Sequence, residues 1–139
     1  MTLLVFSRNL SSEILIDSSA EQVWLLITDF ENFPHWNPFI RHATGEVKKG
    51  AKLELFIQPS GTKGMTFRPK VLKVDPNHEL RWLGRLYLPG LFDGEHALII
   101  ETLSENSVKF IQREKFNGLL VPLTRGLLRD TSAGIRGNE

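Results

Sequence analysis

The chain has 139 residues, the length of one domain, and a domain of about 150 residues buries ~70% of the surface that its unfolded chain exposes. Hydrophobic residues make up 41% and charged residues 24%, which excludes a disordered or fibrous protein. The 17 Lys and Arg nearly balance the 16 Asp and Glu, so the chain has no net electrostatic field that would attract nucleic acid. Cysteine is absent, which excludes disulfides and thiolate chemistry and favours a cytoplasmic location.

Neither a signal peptide nor a membrane span is predicted. The apolar run Leu3 to Phe6 precedes the charge of Arg8, which reverses the order of a signal peptide. No stretch reaches the roughly 18 apolar residues that a transmembrane helix needs. Repeats and Pro/Ser-rich linkers are also absent. We therefore expect a soluble chain in which residues 1–139 form a single domain.

The first elements are a strand and a helix. The range Ser12 to Asp17 alternates apolar and polar residues, as a strand does. Ser18, with Glu21 three residues later, has the capping-box pattern that begins a helix. Prolines then interrupt regular structure, which predicts an aromatic-rich turn or a second short helix. The apolar positions of the first helix recur at three- and four-residue spacing and predict one buried face: Val23, Trp24, Ile27 and Phe30.

The rest of the chain has the pattern of an antiparallel meander closed by a helix. Strand-like runs divided by turn signals predict six strands near 40–47, 51–58, 65–74, 79–87, 92–103 and 107–116. With the first strand they make seven. After Asn117, Pro122 and apolar residues on one helical face predict a long closing helix. An antiparallel sheet with one apolar face needs such a cover.

Seven motifs stand out along the chain: SSAEQVW at 18–24, TDF at 28–30, FPHWNPF at 33–39, TFRP at 66–69, LRW at 80–82, LFDGEH at 91–96 and GLLVP at 118–122. Together they resemble the START-like or SRPBCC superfamily, and specifically its polyketide cyclase/dehydrase-like branch. The resemblance implies an α+β helix-grip fold, with a seven-stranded antiparallel sheet wrapped around the C-terminal helix and a cavity between them. Members bind or transform lipids, sterols, polyketides and hormones, so one activity is not implied. The last helix usually runs longer, whereas two glycines disfavour helix near the end of this chain.

The last hairpin is predicted to bring a histidine and a carboxylate together. With residues 104–106 as its loop, Leu103 faces Ser107. If residues 87–91 form the preceding loop, Trp82 lies beside His96. Side chains at alternate positions share one face of the sheet. Pairing in register therefore opposes three sets of inward-facing residues: Ile100 with Phe110, Leu98 with Gln112, and His96 with Glu114.

The His96–Glu114 pair is the candidate catalytic pair, and two interpretations of it stay open. A histidine beside a carboxylate can move protons near neutral pH. Alternatively, the two groups satisfy each other in the interior or hydrogen-bond a ligand passively, because buried charges need partners. The second interpretation is favoured.

Two apolar segments are predicted to lie near the cavity mouth. Phe33, Trp36 and Phe39 form an aromatic cluster. Packing of Phe33 and Trp36 onto the sheet is favoured over a gate for the ligand. Leu86 and Phe92 flank an apolar Pro-Gly turn, which a ligand gate or a homodimer patch would each explain.

Three functions are compatible with these patterns. The favoured one is binding of a small hydrophobic or amphipathic, lipid-like or polyketide-like molecule. The alternatives are a cyclase or dehydratase that uses the histidine–glutamate pair, and a protein-interaction module whose cavity is filled by its own side chains. The four histidines lack metal-ligand spacing, so neither a metal nor a cofactor is expected. The candidate ligand-binding residues are Trp36, Phe39, Trp82, Leu86, Phe92, Leu98, Ile100, Phe110, Gln112 and Phe116.

Overall fold

The structure, a computed structural model, describes residues 7–37, 40–58, 61, 63–86 and 92–117. In these residues eight strands and two short helices form two antiparallel sheets, ordered β1-β8-β7-β6-β5 and β2-β3-β4. The elements are β1 (Ser7–Ile16), α1 (Ala20–Thr28), a 3-10 helix (Phe30–His35), β2 (Ile40–Thr44), β3 (Glu54–Ile57), β4 (Met65–Phe67), β5 (Lys70–Asp75), β6 (Glu79–Leu86), β7 (Phe92–Ser104) and β8 (Ser107–Asn117).

The prediction of one seven-stranded sheet is wrong, because the run 65–74 forms two strands in different sheets. Proline has no amide donor and restricts the residue before it. The ladder with β3 therefore ends before Pro69, and β5 pairs with β6 instead. Backbone hydrogen bonds still join the sheets, since the Leu53 amide donates to the Pro69 carbonyl and the Val71 amide to the Ala51 carbonyl, each at 2.8 Å.

β2 ends at Thr44, three residues earlier than predicted, because Gly45 has a conformation that glycine favours. Its φ is +133°. A Cβ at this position would lie 3.1 Å from both the Lys52 carbonyl oxygen and the Leu53 Cα. Both the backbone angle and this close approach require glycine. The strand therefore stops where the chain turns toward β3.

Helix α1 begins one residue later than the sequence pattern predicts. Ser19 is the N-cap, and its hydroxyl oxygen accepts a hydrogen bond from the Gln22 amide at 3.1 Å. Ser18 instead donates its hydroxyl to the Gln22 side-chain oxygen at 2.6 Å. The buried face predicted for the helix is confirmed by Val23 and Ile27, which are 3% and 1% exposed.

Replacing Ser19 with alanine is expected to lower the free energy of unfolding by about 1 kcal/mol, because an amide of the first turn loses its acceptor. Ser18→Ala is the matched control and should cost less, since it removes only an exposed contact between side chains. Urea denaturation of both variants measures the difference. Equal losses in the two variants would show that Ser19 is not the cap.

The second short helix is a 3-10 helix that places three aromatic rings together. Phe33 is fully buried between Phe30 and Trp36, with ring centroids 5.1 Å and 4.9 Å away in edge-on geometry. The Asn37 amide donates to the Phe33 carbonyl at 2.9 Å, and the Asn37 side chain accepts from the Ile40 amide. Phe33 lies in the core and Trp36 packs against it, as the packing interpretation predicts.

The main hydrophobic core covers one face of the five-stranded sheet. Val23 and Ile27 of α1 and the rings of the 3-10 helix pack with residues of that face. The sheet contributes side chains at alternate positions of β5, β6, β7 and β8, and these are Val71, Leu80, Trp82, Leu98, Ile100, Val108 and Phe110.

Several predictions fall outside the described residues. They concern the closing helix and its glycine-bearing end in 118–139, the apolar turn at 87–91, and Phe39. Of the helices in the described ranges, none combines the length and apolar character needed to cross a membrane.

Candidate functional site

The predicted register of the central hairpins is confirmed. Trp82 on β6 pairs with His96 on β7, and His96 pairs with Glu114 on β8. Only the tip differs, because a register shift between Thr102 and Ser104 makes Ser104, rather than Leu103, the partner of Ser107. The three side chains therefore form one row across the inner face of the sheet.

The His96 and Glu114 side chains touch. Nδ1 of His96 lies 3.4 Å from Oε1 of Glu114. The imidazole stacks on the Trp82 ring, with centroids 4.8 Å apart and planes inclined by 18°. Glu114 is buried, and its second carboxyl oxygen, Oε2, has no hydrogen-bond partner in the ranges that the structure describes.

Burial sets the protonation of this pair. It raises the pKa of Glu114 to about 7, and it lowers the pKa of His96 to about 4, although the Gln112 side chain partly opposes the second effect. Removal of water penalises the charged form of each group. Between these two pKa values the proton resides on Glu114 and the imidazole is neutral. The contact therefore joins a proton donor to a proton acceptor without burying a charge.

A pocket of about 140 Å³ lies beside this row, between β1, α1 and β8. An apolar cavity of about 150 Å³ can hold benzene, so the pocket has room for one six-membered ring. Its walls are mainly apolar, and the lining residues are Ser12, Glu13, Ile14, Ile16, Val23, Leu26, Ile27, Trp36, Phe110 and Gln112.

Two residues of the pocket wall carry polar atoms that are shielded from solvent. They are Nε1 of Trp36 and Oε1 of Gln112. Gln112 lies on β8 between Phe110 and Glu114 on the same face, and Ser12 faces it from β1. The pocket and the histidine–glutamate row therefore meet at Gln112.

Only part of the predicted ligand-binding set lines this pocket. Trp36, Phe110 and Gln112 do so. Leu98, Ile100 and Trp82 lie instead in the core, at 1%, 3% and 5% exposure. A ligand-contacting role for any of the six stays a prediction.

Three other predicted members belong to the far ends of β6, β7 and β8. Phe116 is half-buried, and its ring lies 3.3 Å from the position that a Cβ on Gly94 would take. Leu86 and Phe92 pair at the ends of β6 and β7, and the structure describes their backbone but not their side chains.

The sequence interpretation missed the walls that β1 and α1 contribute to the pocket. Inward and outward residues alternate regularly along β1, and this pattern indicates which of its side chains face the interior. The pairing of β1 with β8, however, joins the two ends of the described chain. Pairing over such a distance leaves no turn from which a register can be read. In the described ranges, no group of three or more metal-binding side chains occurs.

The chain matches a known family over almost its whole length. The family described as "Polyketide cyclase / dehydrase and lipid transport" matches residues 7–136. Among curated proteins, none matches the chain. The resemblance drawn from the motifs is confirmed.

Solved structures of low sequence identity share the fold. A START superfamily protein from Mycobacterium smegmatis is 20% identical, with a TM-score of 0.73 over 94% of this chain and 92% of that one. The Zhui aromatase/cyclase from a Streptomyces species is 13% identical, with a TM-score of 0.72 over 96% and 87%. Norcoclaurine synthase from Thalictrum flavum is 14% identical, with a TM-score of 0.66 over 96% and 94%. The protein therefore belongs to the polyketide cyclase/dehydrase and lipid transport family and has a START-like helix-grip fold.

Proposed function

We propose that this protein binds a small, neutral, mainly apolar molecule in the pocket between β1, α1 and β8, with a polar group of the molecule near Gln112. The observation that carries the proposal is a pocket of about 140 Å³ with mainly apolar walls, to which Ser12 and Gln112 add polar side chains. The family, which includes lipid transport, supports the same class of function.

The physical reason is the burial of apolar surface. A bound molecule removes its own apolar surface from water, which contributes roughly 25 cal/mol for each Å² that is buried. A charged group would lose its hydration between mainly apolar walls. A neutral molecule therefore suits the pocket best.

The pocket argues against an interior filled entirely by the protein's own side chains, which is the interaction-module hypothesis. Most of the sheet's inner face is packed, with Leu98 and Ile100 almost fully buried. The space beside Ser12 and Gln112 is not filled by the side chains around it, which supports ligand binding.

Toluene, a neutral ring of suitable size, tests the proposal. We expect saturable binding by isothermal titration calorimetry. Ser12→Phe should weaken it by about tenfold or more, because the added ring occupies the pocket. Ser11→Phe is the matched control, since Ser11 is exposed on the opposite face of β1. Thermal melting shows that both variants fold. Absence of toluene binding, or equal weakening in the two variants, would overturn the proposal.

A second candidate function is acid–base catalysis by the His96–Glu114 pair. It is favoured by their 3.4 Å contact and by burial that leaves Glu114 protonated and His96 neutral between about pH 4 and about pH 7. Such a pair can enolise a ketone. Neutral His96 accepts the α-proton while Glu114 donates its proton to the carbonyl oxygen. The enol that forms is therefore neutral, and the net charge of the pair does not change. The aromatase/cyclase fold relative is compatible with this chemistry.

Exchange of the α-protons of acetophenone in D₂O, followed by proton NMR, measures this chemistry directly. The wild type is expected to accelerate the exchange over buffer, and Glu114→Gln is expected to abolish the acceleration. Glu101→Gln is the matched control on the exposed part of β7 and should leave the rate unchanged. A wild-type rate equal to that of buffer would reject catalysis and leave the binding proposal intact.

A further inference from the structure

We infer that the ligand of this pocket is longer than the pocket itself, with one ring inside and an alkyl chain that leaves over Leu26 of α1. This inference rests on the proposed function, because it describes the shape of the molecule that the same pocket holds. The observation behind it is that Leu26 lines the pocket and is also 47% exposed to solvent.

The pocket opens to solvent between α1 and β1. Its other walls are buried or half-buried, whereas Leu26 on α1 and Glu13 on β1 are exposed. Val23 and Ile27 of the same helix are 3% and 1% exposed and close the inner part of the pocket. Residues three positions apart are neighbours on one helix face. The face of α1 that lines the pocket therefore leads from the interior at Val23 to the surface at Leu26.

The volume of about 140 Å³ limits what stays inside the pocket. An apolar cavity of about 150 Å³ can hold benzene, so one ring fills the pocket and a substituent of several carbons has no room there. Such a substituent leaves through the mouth, where the Leu26 side chain offers it an apolar surface.

The mouth suits an apolar chain. Glu13 alternates with Ser12 and Ile14 along β1, so its side chain points to the other face of the sheet. Among the described residues that line the pocket, no other is acidic or basic. A substituent that leaves the pocket therefore meets Leu26 rather than a charge, and a ring with a linear alkyl chain is the class of ligand that fits.

The test compares toluene with n-butylbenzene on the full-length protein by NMR titration. A fully buried methylene contributes about fourfold to affinity, so a methylene covered by Leu26 on one side only contributes about twofold. The two compounds differ by three methylenes, and the wild type should bind n-butylbenzene about eightfold more tightly.

Leu26→Ser should reduce this preference by about threefold or more, because the shorter polar side chain covers little of the alkyl chain. Leu25→Ser is the matched control, since Leu25 is 68% exposed on the same helix and is not part of the pocket lining. Its preference for n-butylbenzene should stay at the wild-type value.

Nuclear Overhauser effects in the wild type give a second readout that needs no variant. The terminal methyl group of n-butylbenzene should contact Leu26, and its ring protons should contact Val23 and Ile27. The inference fails and the proposed function stands if toluene binds but n-butylbenzene does not, or if the terminal methyl group contacts Ile27 instead of Leu26. An unchanged preference in Leu26→Ser, or an equal loss in Leu25→Ser, has the same meaning. If neither compound binds, both fail.

Discussion

The His96→Gln variant is expected to lose about 3 kcal/mol of stability as the pH rises from about 4.5 to about 7, whereas the wild type changes little over most of that range. Burial raises the pKa of Glu114 from 4.5 to about 7. A folded-state pKa above the unfolded value contributes stability that is present at low pH and is lost as the pH rises. Each unit of pKa difference corresponds to about 1.4 kcal/mol.

In the wild type, His96 cancels most of this pH dependence. Its pKa falls from 6.5 to about 4 on folding, so its contribution to stability rises with pH through the same range. Between about pH 4.5 and 6.5 the folded pair holds one proton, on Glu114. The unfolded chain also holds one proton, but on His96. Because the number of bound protons is equal in the two states, stability is insensitive to pH there.

The opposite variant should show the opposite slope. In Glu114→Gln only the histidine contributes, so stability should rise between about pH 4 and 6.5. Urea denaturation at a series of pH values measures both slopes. Glu101→Gln and His42→Gln are the controls, because both residues are exposed, and their curves should run parallel to that of the wild type. Parallel curves for the His96 and Glu114 variants would show that the pair does not titrate as described.

Phe33→Ala is expected to lower the free energy of unfolding by about 3–5 kcal/mol, because it removes a fully buried ring and leaves a cavity between Phe30 and Trp36. The half-buried Phe67 is the matched control, and Phe67→Ala should cost clearly less. Denaturation curves for the two variants give the comparison. A small loss for Phe33→Ala, accompanied by altered toluene binding, would instead identify Phe33 as a gate for the ligand.

The sequence was most informative where structure is local. Few residues separate β6 from β7 and β7 from β8, so the register of both hairpins, and with it the alignment of Trp82, His96 and Glu114, could be predicted. The division of residues 65–74 into two strands at Pro69 could not be predicted, because a proline is also compatible with a bulge inside one strand. The N-cap was predicted one residue too early, at Ser18 rather than Ser19, because both residues carry a hydroxyl group that can cap a helix.

The candidate site was predictable only in part, for a different reason. The pKa values of His96 and Glu114 depend on burial by several elements, and that burial exists only once the whole domain has folded. The pocket needs β1 beside β8, a pairing that no local pattern determines. The motifs were sufficient for the family, which hosts several activities.

The most direct test of the central claim is an NMR measurement of nuclear Overhauser effects between toluene and the methyl groups of the protein. Binding in the pocket should give contacts from toluene to Ile14, Val23 and Ile27, which line it. Contacts confined to the exposed Leu15 and Leu25, or no contacts at saturating toluene, would contradict an internal ligand site.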